Sequence, residues 1–244
     1  MTHYIAVTCS AMARYVYSAA AGVPSAVSVR MLDQGLHIGP KTLRERLQDE
    51  IDAIEPDECD AILLVYGICG TSTLGLIARH TPVVIPRTHD CIALYLGSHD
   101  RYKEEFDAEP GTYWYSVDYM ERKGGGGGIG ASFTGDLDAQ YEGFVKKYGK
   151  DNADYLMEVM GNWGEHYKRA VFIDTGVPDS DGYEDMAREQ AETRGWNFER
   201  KIGDPRLVEM LIRGDWQSDE FLVVPPGHKI EQSFDERLID AVPV

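Results

Sequence analysis

The feature of this sequence that most constrains its fold is a regular alternation of short apolar runs with segments of helical period. The runs are rich in β-branched residues, which favour strands. Strands that alternate with helices build βαβ units, so we predict an α/β protein with a doubly wound, mostly parallel sheet and helices on both faces. Seven strands are predicted, at YIAVT from Tyr4, AVSVRML from Ala26, AILLVYG from Ala61, PVVIP from Pro82, AVFIDT from Ala170, NFERKI from Asn197 and FLVVP from Phe221.

Three of the intervening segments carry signals for the start or the end of a helix. Pro40 stands just before KTLRERLQDEIDAI, and proline is favoured in the first turn of a helix. The segment DSDGYEDMAREQAETRG has an acidic first turn and ends at Gly195, and DPRLVEMLIRG ends at Gly214. These three segments are therefore predicted to be helices.

The alternation breaks in the middle of the chain, where TYWYSVDYM is followed by KGGGGGIG and a helical segment. We interpret this stretch as an insertion between two halves of a single domain. The five glycines Gly124–Gly128 lack the preceding buried strand of a phosphate-binding loop and are interpreted as a flexible tether. The predicted organisation is one α/β domain over residues 1–244, with a first half at 1–110, the insertion at 111–160 and a second half at 161–244.

The composition limits the partners and the compartment. The chain has 41 acidic and 24 basic residues and a formal net charge of -17, which repels nucleic-acid phosphates and anionic lipid headgroups. No apolar run is long enough to cross a bilayer, and MTHYIAVTCS lacks the basic and apolar regions of a signal peptide. We expect a cytoplasmic protein with a small-molecule substrate and no nucleic-acid or membrane partner.

Three of the four cysteines follow predicted strands directly. The first strand runs directly into Cys9, Cys69 follows the third and Cys91 follows the fourth, whereas Cys59 precedes its strand. Ligands of open parallel sheets bind outside the carboxyl ends of the strands, where these three thiols are expected to converge. Three thiolates from separate loops suit zinc or an iron–sulfur cluster, so Cys9, Cys69 and Cys91 are predicted metal ligands. The alternative is that all three are buried core residues.

Further candidate residues lie beside Cys91. His89 is predicted to be a fourth ligand or a general base, and His228 is the alternative fourth ligand. Arg87 is predicted to hold a substrate carboxylate, and Asp90 to orient a ligand histidine. A plain ion pair between Arg87 and Asp90 is the competing interpretation.

The loop CGTSTLG after Cys69 is a candidate anion-binding loop. Gly70, Thr71 and Ser72 offer amides and hydroxyls, and the loop is expected to enter a helix, whose N-terminus favours anions. It lacks the lysine of a phosphate-binding loop.

Several segments together resemble an uncharacterised bacterial and archaeal family, domain of unknown function 1638. They are YGICGTSTLGL, VVIPRTHDCIALYLGS, PGTYWYS, YGKDNADYLME and FLVVPPG, and the resemblance covers nearly the whole chain. The family's cysteines correspond to Cys9, Cys69 and Cys91. Relatives are often encoded near corrinoid-dependent methyltransferases, which implies a link to methyl or one-carbon metabolism.

Three functional hypotheses follow. The first is a metal–thiolate enzyme, with zinc or an iron–sulfur cluster, that transfers a methyl or other small group. The second is a non-enzymatic accessory protein that binds a metal or a corrinoid and delivers it to a methyltransferase. The third, two-thiol racemase chemistry without metal, is disfavoured because it needs one thiol in each half and the second half contains no cysteine.

Overall fold

The computed structural model describes residues 1–122, 128–129, 144–161, 167–176 and 180–244, without the side chains of 38 and 157–161. Most of the predicted tether Gly124–Gly128 therefore lies outside the described residues. Contacts divide the chain into two units. Unit 1 comprises Met1–Lys103 and Gly203–Val244, and unit 2 comprises Glu104–Ile202. The predicted insertion at 111–160 falls within unit 2.

The described residues contain the following main elements. The strands are β1 (His3–Cys9), β2 (Ala26–Leu32), β3 (Ala61–Val65), β4 (Val83–Pro86), β5 (Thr112–Ser116), β6 (Arg169–Asp174), β7 (Asn197–Ile202), β8 (Phe221–Val224), β9 (His228–Gln232) and β10 (Ile239–Pro243). The helices are α1 (Ala13–Ala21), α2 (Pro40–Asp52), α3 (Cys91–Leu96), α4 (His99–Ala108), α5 (Val117–Glu121), α6 (Lys150–Gly161), α7 (Asp181–Arg194) and α8 (Arg206–Arg213).

Unit 1 contains a five-stranded sheet with the order β2-β1-β3-β4-β8. The first four strands are parallel, and β8 runs antiparallel to β4 at the edge. Every residue of β3 and β4 is buried, which is why both read as continuous apolar runs in the sequence. A separate antiparallel pair joins β9 and β10.

Unit 2 contains a three-stranded parallel sheet with the order β5-β6-β7. Its core is aromatic: Tyr113, Tyr115 and Phe172 project from the strands and pack with Trp196. The rings of Tyr113 and Tyr115 meet edge to face at 5.0 Å, a geometry that aromatic quadrupoles favour.

The predicted α/β class with mostly parallel pairing is confirmed, but a single seven-stranded sheet is not. All seven predicted strands form, yet β6 and β7 belong to the second sheet. The aromatic segment TYWYS, predicted to lie in an insertion, is strand β5. Buried parallel strands have the same apolar pattern in either sheet, so the pattern does not determine which strands pair.

The three predicted helices are confirmed. Pro40 is the first residue of α2, and α7 and α8 end at Gly195 and Gly214, with left-handed φ of 70° and 94°. In unit 1, α8 packs against α1 through its apolar face. Among the described residues, no helix combines the length and the apolar character that a membrane span requires.

Candidate functional site

The carboxyl edge of the unit 1 sheet brings together the segments that follow its parallel strands. Thr8 is paired with Val65, so Cys9 at the end of β1 is level with Tyr66, which follows β3. Because β8 is antiparallel, Phe221 at its start pairs with Pro86 at the end of β4. The residues just before β8 therefore lie at this same edge.

The segments after β3 and β4 run side by side at hydrogen-bonding distance. The amide of Ile68 donates to the carbonyl of Thr88 at 2.9 Å, and the amide of Cys69 donates to that of His89 at 2.8 Å. A Cβ atom on Gly67 would lie 2.7 Å from the Asp90 nitrogen and 2.7 Å from the Thr88 oxygen, both backbone atoms. This approach therefore requires glycine at position 67.

The segment that begins with Cys69 has an unusual backbone. Cys69, Gly70 and Thr71 have φ of 48°, 61° and 77°, all in the left-handed region. Non-glycine residues rarely adopt this conformation, and such positions cluster at functional sites. The expected helix after Cys69 is wrong: residues 69–75 form consecutive turns, because left-handed residues interrupt helical hydrogen bonding.

The turns also position the candidate anion-binding residues. Ser72 is buried and its hydroxyl donates to the carbonyl of Cys69 at 2.7 Å. Gly70 and Thr71 are exposed, and the carbonyl of Thr71 accepts from Arg44 at 2.7 Å. Without the helix, the loop has no helix N-terminus to favour an anion.

The three predicted ligand thiols lie close enough to act on one another electrostatically. Cys9 is 4% exposed, whereas Cys69 and Cys91 are partly exposed. Burial is the largest cause that raises the pKa of Cys91 well above its usual value, followed by Asp90, Cys69 and Cys9. Burial, Asp90 and Cys9 likewise raise the pKa of Cys69. The unit 1 fold therefore gathers three thiols at one edge, and the raised pKa values of Cys69 and Cys91 favour their protonated form.

Cys59 differs from these three thiols in its position and in the charges around it. It precedes β3, at the opposite end of the strand from Tyr66, and is partly exposed. Burial also raises its pKa, but the charges that act on it are those of Glu58 and Asp60. Cys59 is therefore distinct from the three-thiol group.

Asp90 is held by two donors. One side-chain oxygen caps α3 by accepting from the Ile92 amide at 2.9 Å, and the other accepts from the Tyr102 hydroxyl at 3.1 Å. Burial raises the pKa of Asp90 despite both bonds and the nearby His89. Asp90 thus positions the first residue of α3, which is Cys91; its predicted role of orienting a histidine stays a prediction.

The two candidate histidines are in different surroundings. His89 is exposed, and its ring centroid is 5.2 Å from that of His99. Burial, and then the charge of His89, lower the pKa of His99. His228 begins β9, and its Nδ1 contacts the carbonyl of Pro226 at 3.2 Å. The structure places only His89 in the segment that leads to Cys91.

Arg87 contacts the backbone around β8 and β10. Its guanidinium donates to the carbonyls of Phe221 at 3.3 Å, Arg237 at 2.8 Å and Ile239, and it pairs with Asp240 at 3.6 Å. The ion pair that Arg87 forms is with Asp240, and not with Asp90 as in the competing interpretation. Since all three guanidinium nitrogens have partners, Arg87 fixes the chain at this edge, and a substrate carboxylate would have to compete for them.

Tyr66 belongs to the site although its role was not predicted from the sequence. It is 1% exposed, and its hydroxyl has no hydrogen-bond partner among the described residues. Burial and then the charges of Cys9 and Cys69 raise its pKa. His37 stacks on its ring at 5.9 Å with an interplanar angle of 22°. The available signal was its position near the carboxyl end of a predicted strand.

The sequence matches the model of a known protein family. A model described as a protein of unknown function, DUF1638, matches residues 31–212. The chain belongs to this family. No curated protein and no solved structure matches it. The match includes Cys69 and Cys91 of this DUF1638 protein, whereas Cys9 precedes it.

A cleft of about 330 Å³ opens in unit 1 of this family member. Its volume suits a small molecule. Its walls carry both charge signs, and its lining includes Arg87, Thr88, Ser98, His99, Glu220 and Arg237. Thr88 lies in the segment between β4 and Cys91, so this segment contributes both to the lining of the cleft and to the thiol group.

The chemistry of this edge is that of soft sulfur donors. Within the described ranges, no three histidine, cysteine, aspartate or glutamate side chains are placed so that they could hold a metal ion as they stand. Cys9, Cys69 and Cys91 are nevertheless near enough to interact, and they lie at the end of β1, in the turns after β3 and at the start of α3. The arrangement offers sulfur donors, an adjacent carboxylate and an unpaired phenol.

Proposed function

We propose that this protein is a metal-dependent enzyme in which Cys9, Cys69 and Cys91 bind zinc or an iron–sulfur cluster. The observation that carries the proposal is that thiols from three separate segments meet at the carboxyl edge of one sheet, within each other's electrostatic influence. Parallel sheets bind ligands at this edge. The cleft lined by Thr88, in the segment that leads to Cys91, would admit a small-molecule substrate.

The state of the thiols supports a metal over catalysis by free cysteine. A nucleophilic or acid–base cysteine must form a thiolate, and the raised pKa values of Cys69 and Cys91 oppose this. A bound cation reverses the balance, because a coordinating thiol is deprotonated outright. Binding would have to draw the three thiols together, since they form no three-ligand group as they stand.

The donor set fits zinc or a cluster better than a hard cation. Sulfur ligands select zinc and iron–sulfur clusters, and three cysteines leave one position for a substrate or a histidine such as His89. Zinc would supply Lewis acidity. Asp90, through its cap on α3, would hold Cys91 in place. Methyl or small-group transfer, and a corrinoid protein or methyltransferase as partner, are proposed from the family resemblance.

The test is elemental analysis and an absorption spectrum of protein purified without oxygen. We expect about one zinc per chain without colour, or iron with sulfide and a broad visible band. Replacing Cys9, Cys69 or Cys91 singly by serine should remove most of the metal, because each would supply one of three sulfur ligands. The matched control is Cys59→Ser, which should retain the full metal content.

Two results contradict the proposal. Protein that contains no metal and takes up none on reconstitution would make the three cysteines core or redox thiols. Equal metal content in all three site variants and in Cys59→Ser would place the metal elsewhere. Tight metal binding without turnover of any substrate would favour the accessory protein over the enzyme.

A further inference from the structure

The cleft of unit 1 is built from segments that are far apart in the chain. It is lined by the segment after β4, the start of α4, the residues just before β8 and the connection between β9 and β10, with Leu207 of α8 as an apolar wall. All of these residues belong to unit 1. The charges on these segments determine which ligand the cleft favours.

The two guanidinium groups in the lining already have partners. Arg87 donates to three backbone carbonyls and pairs with Asp240 at 3.6 Å. Arg237 pairs with Asp235 at 2.7 Å and with Asp240 at 3.1 Å. An anionic ligand would have to displace these carboxylates, so the cleft disfavours anions.

Three carboxylates in the lining have no such partner. Glu220 pairs with Arg206 at 2.8 Å, whereas Asp100, Asp219 and Glu236 form no ion pair with any described residue. Their charges act on lining cations only at longer range. All three are exposed, and they remain the unbalanced charges of the cleft. The cleft therefore favours a cation.

Two polar atoms of lining residues also have no partner. Thr88 is 1% exposed, and its hydroxyl makes no hydrogen bond with a described residue. The buried Nδ1 of His99 has none either. Native proteins rarely leave buried polar atoms unpaired, and both a hydroxyl and a neutral imidazole can accept a hydrogen bond. A ligand with N–H donors would satisfy them.

We propose that this cleft binds a small organic cation with two or more ammonium groups, a diamine or polyamine. Asp100, Asp219 and Glu236 would balance its charges, and Thr88 and His99 would accept its hydrogen bonds. The three carboxylates come from three separate segments, and no three acidic, histidine or cysteine side chains of the described part of the chain could hold one metal ion. Spaced carboxylates suit a ligand with spaced charges. That the amine is a substrate rests on the proposed function, but its binding does not.

The experiment is isothermal titration calorimetry of the full chain with 1,4-diaminobutane. The protein is first freed of metal with a chelator and dialysed into chelator-free buffer. Hexanedioate, which carries two carboxylates on the same four methylene groups, is the comparison of opposite charge. We expect about one diamine per chain, an affinity that falls as salt is added, and no binding of hexanedioate.

Substitution of the unbalanced carboxylates should weaken this binding. Asp219→Asn should lower the diamine affinity roughly twofold to fivefold, as for loss of an exposed ion pair. The triple variant Asp100→Asn, Asp219→Asn, Glu236→Gln should lower it roughly tenfold to a hundredfold, since effects at separated sites add. Each change keeps a polar side chain of the same size at an exposed position, so the fold should persist.

The matched control removes the same number of negative charges elsewhere in unit 1. Glu45→Gln, Asp49→Asn and Asp57→Asn, combined in one chain, change exposed acidic residues that do not line the cleft. The diamine affinity of this control should equal that of the unmodified protein. The control matters because the whole chain has a net charge of -17, which attracts any cation.

Thr88→Val tests the unpaired hydroxyl without a change in charge. Because this hydroxyl has no partner among the described residues, its removal should not lower the free energy of unfolding. The diamine affinity should fall roughly tenfold, as for the loss of a hydrogen bond to a charged group. An unchanged affinity would overturn the assignment of this hydroxyl as an acceptor.

Three other results would overturn the inference. Equal weakening in the two triple variants would show a general attraction to the acidic surface. Absence of diamine binding, or tighter binding of hexanedioate, would show that the cleft does not select organic cations. Magnesium that displaces the diamine and binds more tightly would assign the cleft to a metal ion. Metal-free protein that binds the diamine would support the inference even where the metal content of the purified protein contradicts the proposed enzyme.

Discussion

Replacing Gly67 with alanine tests whether the close approach of two segments builds the thiol edge. The added Cβ would lie 2.7 Å from two backbone atoms and 2.8 Å from the Thr88 side-chain oxygen. Side-chain rotation relieves only the last contact, so the segment after β3 must move away from the segment after β4. We expect this movement to weaken the hydrogen bonds from the Ile68 and Cys69 amides.

The magnitude follows from these contacts. Overpacking of this kind costs about 1–3 kcal/mol, and the two hydrogen bonds, which are weakened but not lost, cost about 0.5 kcal/mol each. Together they predict that Gly67→Ala lowers the free energy of unfolding by about 2–4 kcal/mol. A fold stabilised by about 5–15 kcal/mol survives such a loss, so the variant should remain folded and measurable.

The assay combines urea denaturation with hydrogen exchange. Gly67→Ala should lower the urea midpoint by roughly 1–2 M. It should also speed amide exchange at Ile68 and Cys69, which donate across the gap. The control is Gly22→Ala, where a Cβ would meet its nearest atom at 3.6 Å, and a change within about 0.5 kcal/mol is expected. An unchanged midpoint with unchanged exchange in Gly67→Ala would refute the reasoning.

Two further variants test the neighbours of Gly67. Arg87→Lys should lower the free energy of unfolding by about 1–3 kcal/mol, because an ammonium group cannot reach the same three backbone carbonyls. The control is Arg46→Lys, at an exposed position, which should change the free energy of unfolding little. Equal losses for the two variants in urea denaturation would contradict this role of Arg87. Asp90→Asn should change the pH dependence of stability. Burial raises the Asp90 pKa in the folded state, so its contribution to stability is present at low pH and decreases as pH rises through that pKa. Urea midpoints from pH 4 to 7 should therefore fall more steeply for the unmodified protein than for Asp90→Asn, and parallel curves would contradict the raised pKa.

The strands could be found from the sequence because the apolar pattern that predicts a strand lies within the strand's own residues. β2 at Ala26–Leu32 and β7 at Asn197–Ile202 have the predicted bounds. The sheets could not be found, because parallel pairing joins residues far apart in the chain. β5 was missed for a local reason: its five buried residues include three aromatic rings, which read as an isolated aromatic segment.

The candidate site was partly predictable, because the strands that lead to its residues can be found from the sequence. The rule that ligands bind beyond strand ends selected Cys9, Cys69 and Cys91, and the structure brings these thiols within each other's influence; their role as ligands stays a prediction. Tyr66 was missed because an unpaired hydroxyl is a property of its three-dimensional surroundings. The left-handed backbone at Cys69 was missed because neither cysteine nor its neighbours in CGT require that conformation.

The order of the elements has a consequence for biosynthesis. All of unit 2 is translated between β4 and β8, although these two strands are neighbours in the unit 1 sheet. At ordinary rates of translation, β8 follows β4 by a delay on the order of ten seconds. During that interval the edge of β4 exposes unpaired backbone groups to other nascent chains. Because of this order of elements, we expect chaperones to bind ribosome-bound chains that end before Phe221.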